Sequence, residues 1–443
     1  MRRLILFVAL AASAQVRQLD PVAIERVAME ELQSTKTPGA AVAVISGDKV
    51  VFSHGYGVAD VETGAPVTPD MLFRLGSTTK MFTAATLLSL SVDLDAPVGK
   101  YISGLDPAIA KLTANQLLSH TSGLRDEAPM FGSHDETALG NGIHAWKAEF
   151  FFAPPGRIYS YSNPGFWLAG YLAETIAGKP YADVVAERIF TPLGMKRSTL
   201  RPTMAMTWPL AQGHEVGESG KPEVIRPAAD NAASWPAGSI FSSASDLSRF
   251  VIAFMNGGLP PKVIALMSSP HTNIPGSDDH YGYGLRLSLN RGVKWVEHGG
   301  SRAGYGSTIR MAPDRKFAVV IVANRSGSGM PKLADAISEE MLALEPEAKK
   351  NLSTHPLTAA EIERCAGVYR NGANVIPLEA SGNALLVGAA RRGRKGKEVA
   401  RPQLTRAGDG FLEGDAPRLV VVPDASGRIE FVFSGGRAYR RSN

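Results

Sequence analysis

Apolar residues are arranged in two different periods along this chain. Ala41 to Ile45 form an unbroken apolar run, Gly47-Asp48 supplies a turn, and Val50 to Gly57 follows. That pattern predicts a β-hairpin within residues 40–60. Strand signals return only much later, at Gly292 to Glu297, Tyr305 to Met311 and Phe317 to Ala323. The last two are joined at Pro313-Asp314-Arg315, and a helical stretch from Leu333 to Leu344 follows them. One antiparallel sheet built from both chain ends accounts for this distribution.

The intervening segment reads mainly as helix, with recognisable caps. Thr113 and Gln116 have the spacing of a capping box ahead of Leu117-Leu118. Asn163-Pro164 opens a helix that Gly178 and Pro180 close, and Ser243 with Asp246 opens another. The expectation is an inserted helical region beside the sheet. After a Pro-, Lys- and Ser-containing stretch from Glu345 to Pro356, the short runs Asn383 to Val387, Arg418 to Val422 and Ile429 to Phe433 predict small strands. No repeat or long low-complexity segment is visible.

The N-terminus changes the picture of where the chain works. Met1-Arg2-Arg3, the apolar run Leu4 to Ala12 and then Ser13-Ala14-Gln15 have the layout of a secretory signal. The run is too short to span a bilayer, and no later stretch reaches the roughly 18 apolar residues a membrane helix needs. The predicted organisation is a signal peptide at 1–14, a main domain at 20–345, a linker at 346–356 and a small, basic β domain at 357–443. The predicted location is periplasmic or secreted, with no transmembrane segment after signal removal. Export permits disulfides, yet Cys365 is the only cysteine of 443 residues, so it is expected to be a small buried filler.

The net charge of +5 is local rather than general. Residues 357–443 hold 14 Lys and Arg against 9 Asp and Glu, which is the whole excess. This does not describe a nucleic-acid-binding surface, and no nucleic acid partner is expected. Arg391, Arg392, Arg394, Lys395 and Lys397 form a basic cluster, read as a solvated loop with at most a weak contact to an anionic surface.

Three groups of residues carry candidate chemistry. Ser77-Thr78-Thr79-Lys80 stands at the head of the apolar stretch Met81 to Leu90, so both polar side chains share one face of a helix N-terminus. A serine hydroxyl needs an adjacent base, and a buried lysine with a lowered pKa can be one. Taken alone, Ser-x-x-Lys is a common spacing. Tyr159-Ser160-Tyr161-Ser162-Asn163 lies just before a predicted helix start, where a tyrosine hydroxyl can move protons and the Asn163 amide can bind a carbonyl unless it caps the helix. His298-Gly299-Gly300-Ser301 ends a predicted edge strand, where glycines let substrate approach the backbone and the Ser301 amide can join that of Ser77 as an oxyanion hole.

In this order the motifs resemble those of class C serine β-lactamases, related penicillin-binding proteins and esterases of the same fold. The phrases Phe73-Arg74-Leu75-Gly76-Ser77, Leu117-Leu118-Ser119-His120-Thr121-Ser122-Gly123-Leu124, Tyr161-Ser162-Asn163-Pro164-Gly165 and Pro236-Ala237-Gly238-Ser239 before Asp246-Leu247 are similar too. The resemblance covers residues 20 to 345. It implies an α/β (α+β) sandwich, with an antiparallel sheet flanked by helices and the small β domain appended.

For the site, the resemblance implies Ser77 as nucleophile, Lys80 and Tyr161 as the proton-handling pair, and an acyl-enzyme hydrolysed by water. It further implies Asn163, His298, Gly299, Gly300 and Ser301 as substrate-binding residues. His120 belongs to a family phrase and reads as structural. Where β-lactamases usually carry Lys-Thr-Gly, this chain has His298-Gly299-Gly300. Losing the permanent cation and the threonine hydroxyl weakens the grip on a substrate carboxylate, which favours small-molecule esters or peptide-like amides. A true β-lactamase is the alternative within the enzymes, and a catalytically silent scaffold the alternative outside them. The nine scattered histidines show no metal-ligand spacing, so neither metal nor other cofactor is expected.

Overall fold

In the computed structural model, described over residues 19–347, 354–388, 402–407, 410–414 and 418–442, the two chain ends meet in one sheet. The signal segment 1–14, the basic cluster from Arg391 to Lys397 and the middle of the linker lie outside the described residues. The sheet has eight strands: β1 (Gly39–Ser46), β2 (Lys49–Gly57), β3 (Thr272–Asn273), β4 (His280–Tyr281), β5 (Arg286–Asn290), β6 (Val293–Arg302), β7 (Tyr305–Ala312) and β8 (Phe317–Ala323). Their order is β2-β1-β8-β7-β6-β5-β4-β3, antiparallel throughout. β1 pairs with β8 from Ala40↔Ala323 to Ser46↔Phe317, which closes the sheet across the whole length of the unit.

The side-chain period of two explains why β1 is continuously apolar. Ala40, Val42 and Val44 face one core, formed with helices α1 (Pro21–Thr35) and α5 (Pro331–Met341). Ala41, Ala43 and Ile45 face a second and larger core, formed with α2 (Thr79–Ser89), α3 (Asn163–Ala177) and α4 (Ala244–Asn256). β8 divides in the same way, with Val319 and Ile321 on one side and Ala318, Val320 and Val322 on the other. Each fully buried Val or Ile contributes about 1.5–3 kcal/mol, so a one-residue slip in register would expose nothing polar but would unseat both cores. Glu31, buried on α1, accepts the Lys332 and Leu333 amides at 3.1 and 2.8 Å and caps the N-terminus of α5.

The C-terminal part closes on itself. Eight strands, β9 (Gly367–Asn371), β10 (Asn374–Ser381), β11 (Ala384–Val387), β12 (Gln403–Ala407), β13 (Phe411–Gly414), β14 (Leu419–Pro423), β15 (Ile429–Ser434) and β16 (Arg437–Arg441), form a barrel in which β12 pairs with both β11 and β13. Full closure removes the exposed edges that such short strands would otherwise present. Its core includes Tyr369, Leu385 and Cys365, the last buried on a short helix and unpaired. A separate cluster joins barrel to main domain: Phe431, Phe433 and Ala438 pack on Ala153, Tyr159 and Tyr281. Among the described residues no single helix is long and apolar enough to cross a membrane.

Candidate active site

Ser77 lies in a single turn of 3-10 helix, Gly76–Thr78, that runs directly into α2. α2 is buried nearly all round, from Thr79 to Leu88, because it sits between the sheet and the other helices of the larger core. This places Lys80 inside the protein, fully buried, where its ammonium reaches the Ser77 hydroxyl at 3.1 Å. The same nitrogen donates to Asn163 Oδ1 at 2.8 Å and to the Ala237 carbonyl at 2.7 Å. Burial holds the Lys80 pKa well below its ordinary value; nearby Asp126 opposes that shift and Arg437 adds to it.

Tyr161 and Asn163 come from the connection that enters α3. The helix cap is Ser162, whose hydroxyl accepts the Gly165 amide at 3.3 Å, so the Asn163 side chain is not taken up by capping. Asn163 instead links two ionisable groups: its Oδ1 accepts the hydrogen bond from Lys80 Nζ, while its Nδ2 donates to Asp126 Oδ1 at 3.0 Å. The amide is thereby oriented at both ends. Tyr161 lies with its ring 4.7 Å from Lys80 Nζ. Burial pushes its hydroxyl pKa far above the ordinary value, and the Ser77 hydroxyl offsets only part of this.

His120 stacks on Tyr161 with ring centroids 4.3 Å apart and accepts the Ser162 amide on Nδ1 at 3.0 Å. Its backbone takes a left-handed φ of 59°, which turns the ring beneath Tyr161. Its position is that of a support for Tyr161.

The strand β6 is interior to the sheet rather than at its edge, contrary to the sequence expectation. Only Val293 to Glu297 pair with β5, whereas β7 accompanies the strand to Arg302. His298 to Arg302 therefore form a local free edge, and this half-strand packs against the nucleophile. A Cβ on Gly76, whose φ is +59°, would stand 2.6 Å from the Ser301 amide nitrogen, and one on Gly300 would stand 1.8 Å from the Leu75 carbonyl. Glycine is required at both positions for the Ser77 and Ser301 backbones to converge. Gly299 is different: a Cβ there meets only the Ser307 carbonyl, at 3.8 Å.

His298 is buried, bonded to the Tyr281 hydroxyl at 3.0 Å and to the Gly299 carbonyl at 2.6 Å. Burial, with Lys80 nearby, lowers its pKa to about 3, so it is a neutral imidazole at physiological pH.

A cavity of about 310 Å³ opens over Ser77, bounded by Tyr161 and Asn163 on one side and Gly238, Ser301 and Arg302 on another. Met130 and Trp167 add apolar wall. Arg437, from the first residue of β16, also lines it: its guanidinium pairs with Asp126 at 2.6 Å and lies 5.1 Å from the Tyr161 ring centroid. The β15–β16 turn reaches this far because the Tyr161 amide donates to the Gly436 carbonyl at 2.9 Å. Asn371 reinforces the contact, accepting the Asp126 amide at 2.9 Å and donating to Ser160 Oγ at 3.3 Å.

Of the residues expected from the sequence, Ser77, Tyr161, Asn163 and Ser301 line this cavity; Lys80 is buried in contact with Ser77, Gly300 packs on Leu75, and His298 with Gly299 lines a neighbouring pocket beside Tyr281 and Glu297. Asp126, Ala237, Arg302 and Arg437 were not anticipated. Asp126 stands two residues beyond the phrase ending at Leu124, and Ala237 lies within a phrase singled out for its likeness alone. Arg437 follows Tyr161 by 276 positions in another folding unit, with no local signal. Among the described residues no cluster of three or more His, Cys, Asp and Glu is placed to hold a metal ion.

The family model described as Beta-lactamase matches residues 24–341. A D-aminopeptidase of Gluconobacter oxydans (strain 621H) is 31% identical over 355 residues, covering 75% of this chain and 64% of that protein. Unguisins hydrolase ungD' of Aspergillus campestris (strain IBT 28561) is 31% identical over 339 residues, covering 68% and 61%. The chain therefore spans a little under two thirds of the length of these relatives. Among solved structures, SurE superposes with a TM-score of 0.77 at 24% identity, over 95% of this chain and 99% of its own, a likeness of fold. The D-amino acid amidase of Ochrobactrum anthropi SV3 gives 0.62 at 25% identity, over 72% and 97%.

Proposed function

Because the chain belongs to the beta-lactamase family, we propose that it is a class C-like serine hydrolase that cleaves peptide-like amides or esters, those of D-amino acids in particular, through an acyl-enzyme on Ser77. The observation that carries this reading is the 3.1 Å contact between Ser77 Oγ and the nitrogen of a fully buried lysine. The names of the D-aminopeptidase and D-amino acid amidase relatives support the substrate class.

In this mechanism Lys80, its pKa lowered by burial, takes the Ser77 proton as the hydroxyl attacks the substrate carbonyl. The tetrahedral oxygen is held by the Ser77 and Ser301 amides. Tyr161, whose raised pKa keeps it protonated, suits the role of donor to the leaving group rather than of base. The proton returns through Lys80, and water repeats the sequence on the acyl-enzyme. Asn163 holds the substrate amide or ester while Asp126 fixes its orientation. Export to the periplasm or beyond belongs to the same reading. Turnover of D-amino acid amides, D-configured peptides and matched L-isomers by the purified protein tests it.

Two consequences follow from the charges around Lys80. Asp126 raises its pKa and Arg437 lowers it. Asp126→Asn should therefore move the acidic limb of the kcat/KM profile to lower pH, and Arg437→Gln should move it to higher pH. Limbs that move together in one direction would separate these residues from the lysine.

Recognition of β-lactams should be poor, since His298 is neutral and Gly299 has no hydroxyl. The room at Gly299 permits a side chain there. Gly299→Thr should accumulate penicillin acyl-enzyme on the order of tenfold faster by intact mass, the gain of one hydrogen bond to a carboxylate. No gain would show that the missing hydroxyl is not what limits β-lactam acylation.

A further inference from the structure

At the end of the free edge of β6, Arg302 closes one wall of the Ser77 cavity. It is only 8% exposed, and its Nε has no hydrogen-bond partner. The other nitrogens reach the Gly238 and Ala229 carbonyls at 3.3 and 3.5 Å, the long end of hydrogen bonding. A guanidinium carries five donors and is ordinarily buried only beside a carboxylate or phosphate.

The charge census around it does not balance. Asp230 is the nearby carboxylate, and it is already engaged: it takes Arg74 at 2.8 Å, Trp235 Nε1 at 3.2 Å and His134 Nδ1 at 3.0 Å. Arg74 also bonds the Ala229 carbonyl that Arg302 reaches for. Two buried guanidiniums thus share one carboxylate, and burial, with repulsion from Arg74 added, lowers the Arg302 pKa against the pull of Asp230. Arg437, across the cavity, is neutralised by Asp126. Among the described residues, the unbalanced positive charge on the cavity wall is that of Arg302.

We propose that Arg302 is the specificity residue for an anionic group on the substrate, a carboxylate or similar oxyanion, seated on the side of the scissile bond away from His298. The placement distinguishes it from the Lys-Thr-Gly position occupied by His298 and Gly299, which is four residues away along an extended strand, roughly 13 Å. On binding, the anion gives the poorly bonded terminal N–H groups a charge-assisted partner at the cavity wall. The gly-rich approach at Gly300 and Ser301 leaves the carbonyl over Ser77 while the anion lies beside the next residue. This inference rests on the hydrolase reading above.

The test uses matched p-nitrophenyl esters of equal length: one with a carboxylate at the far end of its acyl group, such as the glutarate monoester, and one with a methyl group there. A second pair carries the carboxylate, or its neutral replacement, on the leaving-group phenol. Wild-type protein should favour one anionic ester over its neutral partner by on the order of tenfold to a hundredfold in kcat/KM. Arg302→Gln should collapse that ratio chiefly through KM, and Arg302→Lys should retain part of it, while Ser77→Ala turns over none. A structural role would lower both esters of a pair equally and leave the ratio intact, which overturns the proposal. So does a wild-type ratio near one in both pairs. Absence of Ser77-dependent turnover of every ester, neutral ones included, overturns the hydrolase reading and this inference with it.

Discussion

Ser77→Ala should take up no acyl group and lose turnover by on the order of 10⁴-fold or more, with its fold unchanged. Among the described residues lining the cavity, this hydroxyl combines access to substrate with a hydrogen-bonded amine, at 3.1 Å from Lys80 Nζ. Its removal leaves the oxyanion donors and the binding wall in place, so residual binding with no chemistry is the expected phenotype. The structural cost is small, because Ser77 is only partly buried and Lys80 keeps its bonds to Asn163 and Ala237. Intact mass after incubation with penicillin or an activated ester reads the acyl-enzyme directly. A stable adduct on the alanine variant, or turnover within tenfold of wild type, would remove Ser77 from the mechanism.

How much of this was legible beforehand depended on whether the information was local. The hairpin at 40–60 and the strands after residue 290 were readable because β1 and β8 are buried on both faces and so carry unbroken apolar runs. The Ser77-x-x-Lys80 pair was readable because four residues of one helix start fix its geometry, and Tyr161 and Asn163 because they straddle a helix cap. The structure differs where pairing depends on distant segments. β6 read as an edge strand, since its glycines resemble those of an edge. It is interior, and only the half from His298 onward is free, because β5 ends at Asn290 and begins opposite Glu297.

The charges that tune the site were invisible for the same reason. Asp126 becomes meaningful only when α3 brings Asn163 to it and the barrel brings Arg437. The barrel itself was anticipated as a set of small strands, but nothing along residues 357–443 indicates that the β15–β16 turn lies against Tyr161. A domain that reads as an appendage in sequence supplies part of the wall and part of the electrostatics of the cavity. Arg302 illustrates the converse, for it follows Ser301 directly, yet its lack of a counterion can be known only once Asp230 is seen to be occupied.

Lys80→Met should lower the acylation rate by on the order of 10²- to 10⁴-fold, the usual contribution of a positioned base, and should also abolish the acidic limb of its pH dependence. Methionine keeps most of the side-chain length in a fully buried position, so the cavity walls are preserved. The sign of the pH dependence follows from protonation: the free amine accepts the Ser77 proton, hence wild-type acylation rises with pH as the ammonium titrates. Stability moves the same way. The folded-state pKa lies below that of the unfolded chain, so between the two values the unfolded state binds more protons and the folded state gains stability as pH rises. In Lys80→Met that rise should disappear, although the Asn163 Oδ1 and Ala237 carbonyl left without a donor cost about 1–3 kcal/mol each at every pH. Stopped-flow acylation and melting temperature across the same pH series measure both effects. An acidic limb retained unchanged in the methionine variant would assign the proton acceptor elsewhere, and Tyr161 would be the group to replace next.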